Sequence, residues 1–140
     1  DRYAAGETSM AWLDQTIVLH VPSGTLRVAL QFLISRIQND LRKGRLPLGH
    51  VKFQIKTNSR VFKVSITSLD EAINGVMIPE LAEETAELII NARVQSSADE
   101  LRTLVQKVLD ATMAHTHVDY RTVFLDSFHP GYPHPTHRMS

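Results

Sequence analysis

The residues best suited to chemistry are the histidines, seven of them in a chain with no cysteine. Thiolate nucleophiles, disulfides and Cys-ligated zinc are therefore excluded, and imidazole is a side chain that suits Co²⁺, Ni²⁺ or Zn²⁺. His115 and His117 stand two positions apart ahead of a stretch rich in β-type residues. If that stretch is extended, both side chains point to one side, about 7 Å apart along the chain. Such a pair could share a Co²⁺, Ni²⁺ or Zn²⁺ ion; read otherwise, they are two exposed histidines in a helix-to-strand connection. A second set, His129, His134 and His137, lies in the C-terminal run Phe128-His129-Pro130-Gly131-Tyr132-Pro133-His134-Pro135-Thr136-His137-Arg138. The prolines fix φ and exclude a helix, so an extended polyproline-type path is expected. On that path His134 and His137 share a side but stand about 9 Å apart, and chelation requires a bend or His129 as partner. The same segment also reads as a stiff strap that docks Phe128 and Tyr132 into a groove with little loss of entropy.

Other chemical patterns are weaker. Gly44-Arg45-Leu46-Pro47-Leu48-Gly49 has the glycine spacing of a phosphate-binding loop. His50 and Val51 occupy the positions that need Lys and a hydroxyl, so a helix stop leading into a strand is expected instead. No Gly-x-Ser-x-Gly elbow, His-Glu-x-x-His motif or calcium loop occurs. The carboxylates Asp70, Glu71, Glu80, Glu83 and Glu84 cluster in one connection, where they read either as an acid/base pair or as a solvated acidic loop. No catalytic constellation is legible, and the chain is not expected to be an enzyme.

At 140 residues, 43% of them hydrophobic and 21% charged, the composition is that of one folded domain. Fifteen basic residues balance fifteen acidic ones, which leaves no global field for nucleic acid or an acidic membrane. No stretch approaches the roughly 20 apolar residues of a membrane span and no signal-peptide pattern is present, so a cytoplasmic location is expected. The start at Asp1-Arg2-Tyr3 reads as a fragment or a processed product. Residues 1–9 read as a flexible N-terminal segment, 10–127 as a single domain and 128–140 as a Pro/His-rich tail.

The elements that must position these residues follow from periodicity. Ile17, Leu19 and Val21 alternate over Thr16 to Val21, a first strand stopped by Pro22-Ser23-Gly24. Leu26, Leu30, Leu33, Ile37 and Leu41 draw a helical stripe over Thr25 to Lys43, with Ser23 as N-cap and Gly44 in the left-handed position beyond the end. Val51 to Thr57 and Phe62 to Ile66 form a hairpin about Asn58-Ser59. Leu69 to Glu84 reads as a connection with one short helix. Leu88, Ile90, Ala92 and Val94 alternate in a further strand, and Ser97 to Glu100 has capping-box spacing ahead of a second helix. His117 to Leu125 reads as the last strand.

This order repeats one strand-helix-strand unit twice. Right-handed crossovers interleave two such units into an α+β, ferredoxin-like split βαβ sandwich. It consists of an antiparallel sheet of about five strands, two helices on one face and the extended tail. With the first and fourth strands in the centre, the other face carries Val18 and His20 beside Ile89, Asn91 and Arg93. Aliphatic area among polar groups makes that face either a docking surface or an ordinary wet face with scattered aliphatics.

The ending Phe-x-Pro-x-x-Pro-x-Pro-Thr-His-Arg, Phe128 to Arg138, resembles that of CobW-type GTP-binding proteins, the cobalamin-synthesis and metallochaperone GTPases. Met10-Ala11-Trp12-Leu13-Asp14-Gln15-Thr16, Gly49-His50-Val51-Lys52, and Asn91-Ala92-Arg93-Val94 ahead of Ser97 to Leu101 are similar to segments of the region after the GTPase domain. The resemblance covers about residues 9 to 138. Nucleotide and metal chemistry in that family belong to a P-loop domain with a Cys-containing motif, and this chain has neither. The resemblance therefore implies an accessory role with a fused or separate P-loop GTPase domain, or with a client metalloprotein. Two alternatives stand beside it. One is a direct Co, Ni or Zn module using the histidines. The other is a self-associating ferredoxin-like module that binds a small regulatory ligand and forms a homodimer through the sheet face.

Overall fold

A computed structural model describes residues 10–70 and 78–130. Five strands and two helices follow one another as β1 Met10–His20, α1 Leu26–Lys43, β2 Leu48–Lys56, β3 Val61–Ile66, β4 Thr85–Gln95, α2 Ala98–Thr116 and β5 Asp119–Phe128. The sheet order is β3-β2-β4-β1-β5 with every pair antiparallel. This is the expected α+β ferredoxin-like sandwich, with β3 as the added edge strand and β1 and β4 paired over their full lengths.

Inward-facing residues of the interior strands, among them Leu13, Ile17, Phe53, Ile55, Leu88 and Ile90, are fully buried. Above them lie the apolar stripes of both helices: Leu30, Leu33, Ile37 and Leu41 from α1, and Leu101, Val105, Val108 and Leu109 from α2. Removal of this apolar surface from water is the main stabilising term of the fold. The helices cover one face only, so the alternate residues of the strands face outward.

Boundaries differ from the periodicity reading where polar residues are buried. β1 begins at Met10 and not at Thr16, because Gln15 points inward, 2% exposed, and donates from Nε2 to Thr122 Oγ1 at 3.0 Å. α1 is preceded by a turn in which Thr25 N–H donates to Pro22 O and Gly24 takes the left-handed third position, φ 79°. Thr25, not Ser23, is its N-cap, and no side chain caps it. At the other end Gly44 stays right-handed, φ −76°, and Arg45 takes the positive φ of 54°. Arg45 N–H donates to Arg42 O and Leu46 N–H to Leu41 O, the two bonds of a Schellman closure. The left-handed arginine costs about 1–2 kcal/mol, offset by the return of Leu46 onto the core.

The second helix starts as its spacing predicts, with Ser97 Oγ accepting from Glu100 N–H at 2.9 Å. It runs to Thr116, beyond the reach of the apolar stripe: Thr112 and Thr116 continue the buried face, their hydroxyls satisfied by donating to Val108 O and Thr112 O. The last strand is accordingly shifted to Asp119–Phe128. Among the described residues of the connection after β3, residues 78–84 hold no helix; 71–77 lie outside the described residues.

Candidate functional site

The uncovered sheet face is assembled from the outward residues of all five strands. Registers place Lys52 beside Asn91, Asn91 beside Asp14 and Asp14 beside Asp126 in one row. The next row joins Lys63, Gln54, Ile89, Thr16 and Phe124. A third joins Val61, Lys56, Glu87, Val18 and Arg121. Partners in register share a face, so this assignment follows from the pairing alone. Asn91 Nδ2 donates to Asp14 Oδ1 at 2.7 Å, and His20 Nδ1 stands 3.4 Å from Thr85 Oγ1.

At one end of the face His50, Arg93, Trp12 and Phe128 line up across four strands. The Arg93 guanidinium lies 3.8 Å from the Trp12 ring centroid, a cation–π contact. Phe128 meets the same indole at 5.8 Å between centroids, tilted by 51°. A bulge in β2 between Leu48 and His50 makes room for this corner. Its extra residue, Gly49, allows the backbone of Arg93 to approach so closely that an added Cβ would stand 2.8 Å from Arg93 O.

Burial holds the His50 imidazole below its ordinary value of 6.5, and the positive charges of Arg93 and Lys52 push the same way. An unfolded chain takes up the proton near 6.5, so the contribution of His50 to stability is fully present above that pH. Stability is lost as the pH falls through the lowered folded value. His50→Gln is expected to flatten the pH dependence of the melting temperature between about pH 7 and about pH 5. Two parallel profiles would show that His50 does not contribute.

Of the sequence-selected histidines, the described ones form no metal-ligand group. His115 lies in the last turn of α2 and stacks on Phe32 of α1, 4.6 Å between centroids and 19° between planes. His117 is the left-handed cap of the same helix, φ 60°, and its N–H donates to Met113 O at 3.0 Å. The extended geometry expected for the two does not form, because the helix continues through both threonines. His129 follows β5 directly, while Tyr132, His134 and His137 lie outside the described residues. Among the described residues no group of three His, Asp or Glu side chains is placed to hold a metal ion. The acidic connection is engaged structurally: Glu80 pairs with Arg27 at 2.7 Å, and Glu83 accepts from Ser59 Oγ, which holds its carboxyl below the usual range.

A cleft of about 690 Å³ opens where the end of α1 meets the start of α2, lined by Arg36, Asp40, Lys43, Asp99, Glu100 and Lys107 among others. Charges of both signs alternate around it, and Arg36 Nε already donates to Asp40 Oδ1 at 3.3 Å. No nucleophile-base pair is built there. Periodicity located Ile89, Asn91, Arg93 and His20 on the open face correctly but missed Trp12, which sits opposite the inward set Ala11, Leu13, Gln15 and Ile17. Extending the alternation through polar Gln15 would have found it. Among the described residues no helix is long and apolar enough to cross a membrane. No protein-family model matches the chain, and a search of the curated proteins finds no match.

Proposed function

We propose that this chain is a non-catalytic interaction domain, an accessory module of a CobW-like GTPase in metal or cobalamin-linked metabolism. The contact with the GTPase domain is assigned to the corner formed by Trp12, Arg93 and Phe128. The supporting observation is that the chain's single tryptophan lies on the uncovered face between a guanidinium and a second aromatic ring. Tryptophan, tyrosine and arginine are enriched among the hot-spot residues of protein interfaces. The corner also stands where β5 runs into Phe128 to Arg138, the segment that carries the resemblance. Trp12 and Arg93 fall within two of the other resembling segments.

Calorimetric titration of the intact chain with a CobW-type GTPase domain, in its GDP and GTP states, tests this reading. Binding is expected, with Trp12→Ala weakening it roughly 30-fold or more, the size of a hot-spot truncation. No heat in either nucleotide state would overturn the GTPase assignment. Equal affinity of the variant, with its circular dichroism unchanged, would remove the corner from it.

A further inference from the structure

The remainder of the open face has a division of charge, in which Asp14 already accepts one hydrogen bond from Asn91 of the same copy. Outward positions of β2 and β3 carry Lys52, Lys56 and Lys63 with His50 and no acid. Outward positions of β1 and β5 carry Asp14, Asp119 and Asp126 against one permanent cation, Arg121, with His20 beside Asp119. Between the halves, on β4, stand Glu87, Ile89 and Asn91, with Arg93 drawn over Trp12 at the corner. Asp14 and Asp126 are register neighbours on the same face, so two carboxylates repel each other within one copy. Phe124 is 54% exposed beside them.

From this pattern we infer that the face is self-complementary and that its occupant is a second copy of the chain. A twofold axis running along β4 lays the β2–β3 half of one copy over the β1–β5 half of the other. Lys52 then lies over Asp14 of the second copy, Lys63 over the stretch from Phe124 to Asp126, and Ile89 over its own symmetry mate. The alternative in-plane twofold, across the strands, sets β2 over β2 and therefore lysines over lysines. Sheets packed face to face keep their strands within about 30° of one another, which the first arrangement allows. Without the corner row, five strands about 4.8 Å apart and about seven residues at about 3.3 Å give a face of roughly 24 by 23 Å. That is about 550 Å² for each copy, the per-partner area of a small, reversible interface. The inference takes the open face as the working surface, as the proposed function does, and assigns its centre to the second copy while the corner stays with the GTPase. An accessory module of this kind would hold two GTPase domains in one assembly.

Sedimentation equilibrium of the intact chain from about 1 μM to about 1 mM, in about 0.05 M and 0.5 M salt, provides the test. The wild type is expected to dimerise, with its dissociation constant rising at least about tenfold in the higher salt. One variant reverses the basic half (Lys52→Glu with Lys63→Glu) and another the acidic half (Asp14→Lys with Asp126→Lys). Each alone is expected to be monomeric, and an equimolar mixture to form the mixed dimer. A wild type that stays monomeric to about 1 mM overturns the inference. Dimers persisting in either variant, or a mixture that fails to associate, overturn the pairing of halves. Circular dichroism of each variant separates loss of contact from loss of fold. A monomeric wild type that binds the GTPase domain would refute this inference alone, and a dimer without GTPase affinity would refute only the proposed function.

Discussion

Replacing Phe53 by Ala is expected to remove about 3–5 kcal/mol of stability, the range for truncating a fully buried phenylalanine. Phe53 is 0% exposed at the middle of β2, the strand that joins the hairpin to the sheet centre. It pairs in register with Val64 on one side and Ile90 on the other, and points into the layer covered by the helices. The loss combines the transfer free energy of a phenyl ring with the missing contacts of its lining, because flanking strands fixed by ladder hydrogen bonds collapse only partly into the space. Domains of this size have about 5–15 kcal/mol in total, so the variant would be close to unfolding at ambient temperature. Urea unfolding followed by circular dichroism measures it. A lowered midpoint with an unchanged slope is expected. A loss below about 1.5 kcal/mol would show that the helices close over the vacated volume, contrary to the tight packing inferred for this layer.

Gly49→Ala is expected to destabilise the chain by about 1–3 kcal/mol, the cost of overpacking a closed site, and to disturb the proposed contact as well. The new Cβ would stand 2.5 Å from the end of Met10, which can move, and 2.8 Å from the backbone oxygen of Arg93, which is held in the β2–β4 ladder. β4 must therefore shift at Arg93, and the guanidinium over Trp12 moves with it. Trp12 is the only tryptophan in the chain, so its emission reports the change directly. A lowered urea midpoint together with an altered native emission spectrum is expected. Unchanged emission would show that the strain is taken up on the β2 side and that the bulge does not position the corner.

Much of the fold was legible because burial in a two-layer sandwich imposes a local period. Leu88, Ile90, Ala92 and Val94 alternate without interruption and mark the greater part of β4, which extends back to Thr85. The stripe from Leu26 to Leu41 defined α1 in the same way. The reading failed where a polar side chain met its hydrogen-bonding needs inside the fold. Gln15 concealed the first half of β1, and Thr112 and Thr116 concealed the last turn of α2. The second failure also undid the expected geometry of His115 and His117, since an extended pair requires a strand where the helix still continues.

The order of the elements, the inward residues of β2 and most of β4, and an uncovered, mixed face were legible in the chain alone. Those features follow from periods of two and 3.6 residues, which operate between near neighbours in the chain. Only the tertiary structure decided which outward residues meet. Trp12, Arg93 and Phe128 come from three strands far apart in sequence, and they are juxtaposed by the registers of β1 with β4 and β5. The division of the face into a lysine half and an aspartate half likewise depends on the order β3-β2-β4-β1-β5. The central place of β1 and β4 follows from the order of the elements, but the register between strands distant in sequence is fixed only when they pair over the shared core.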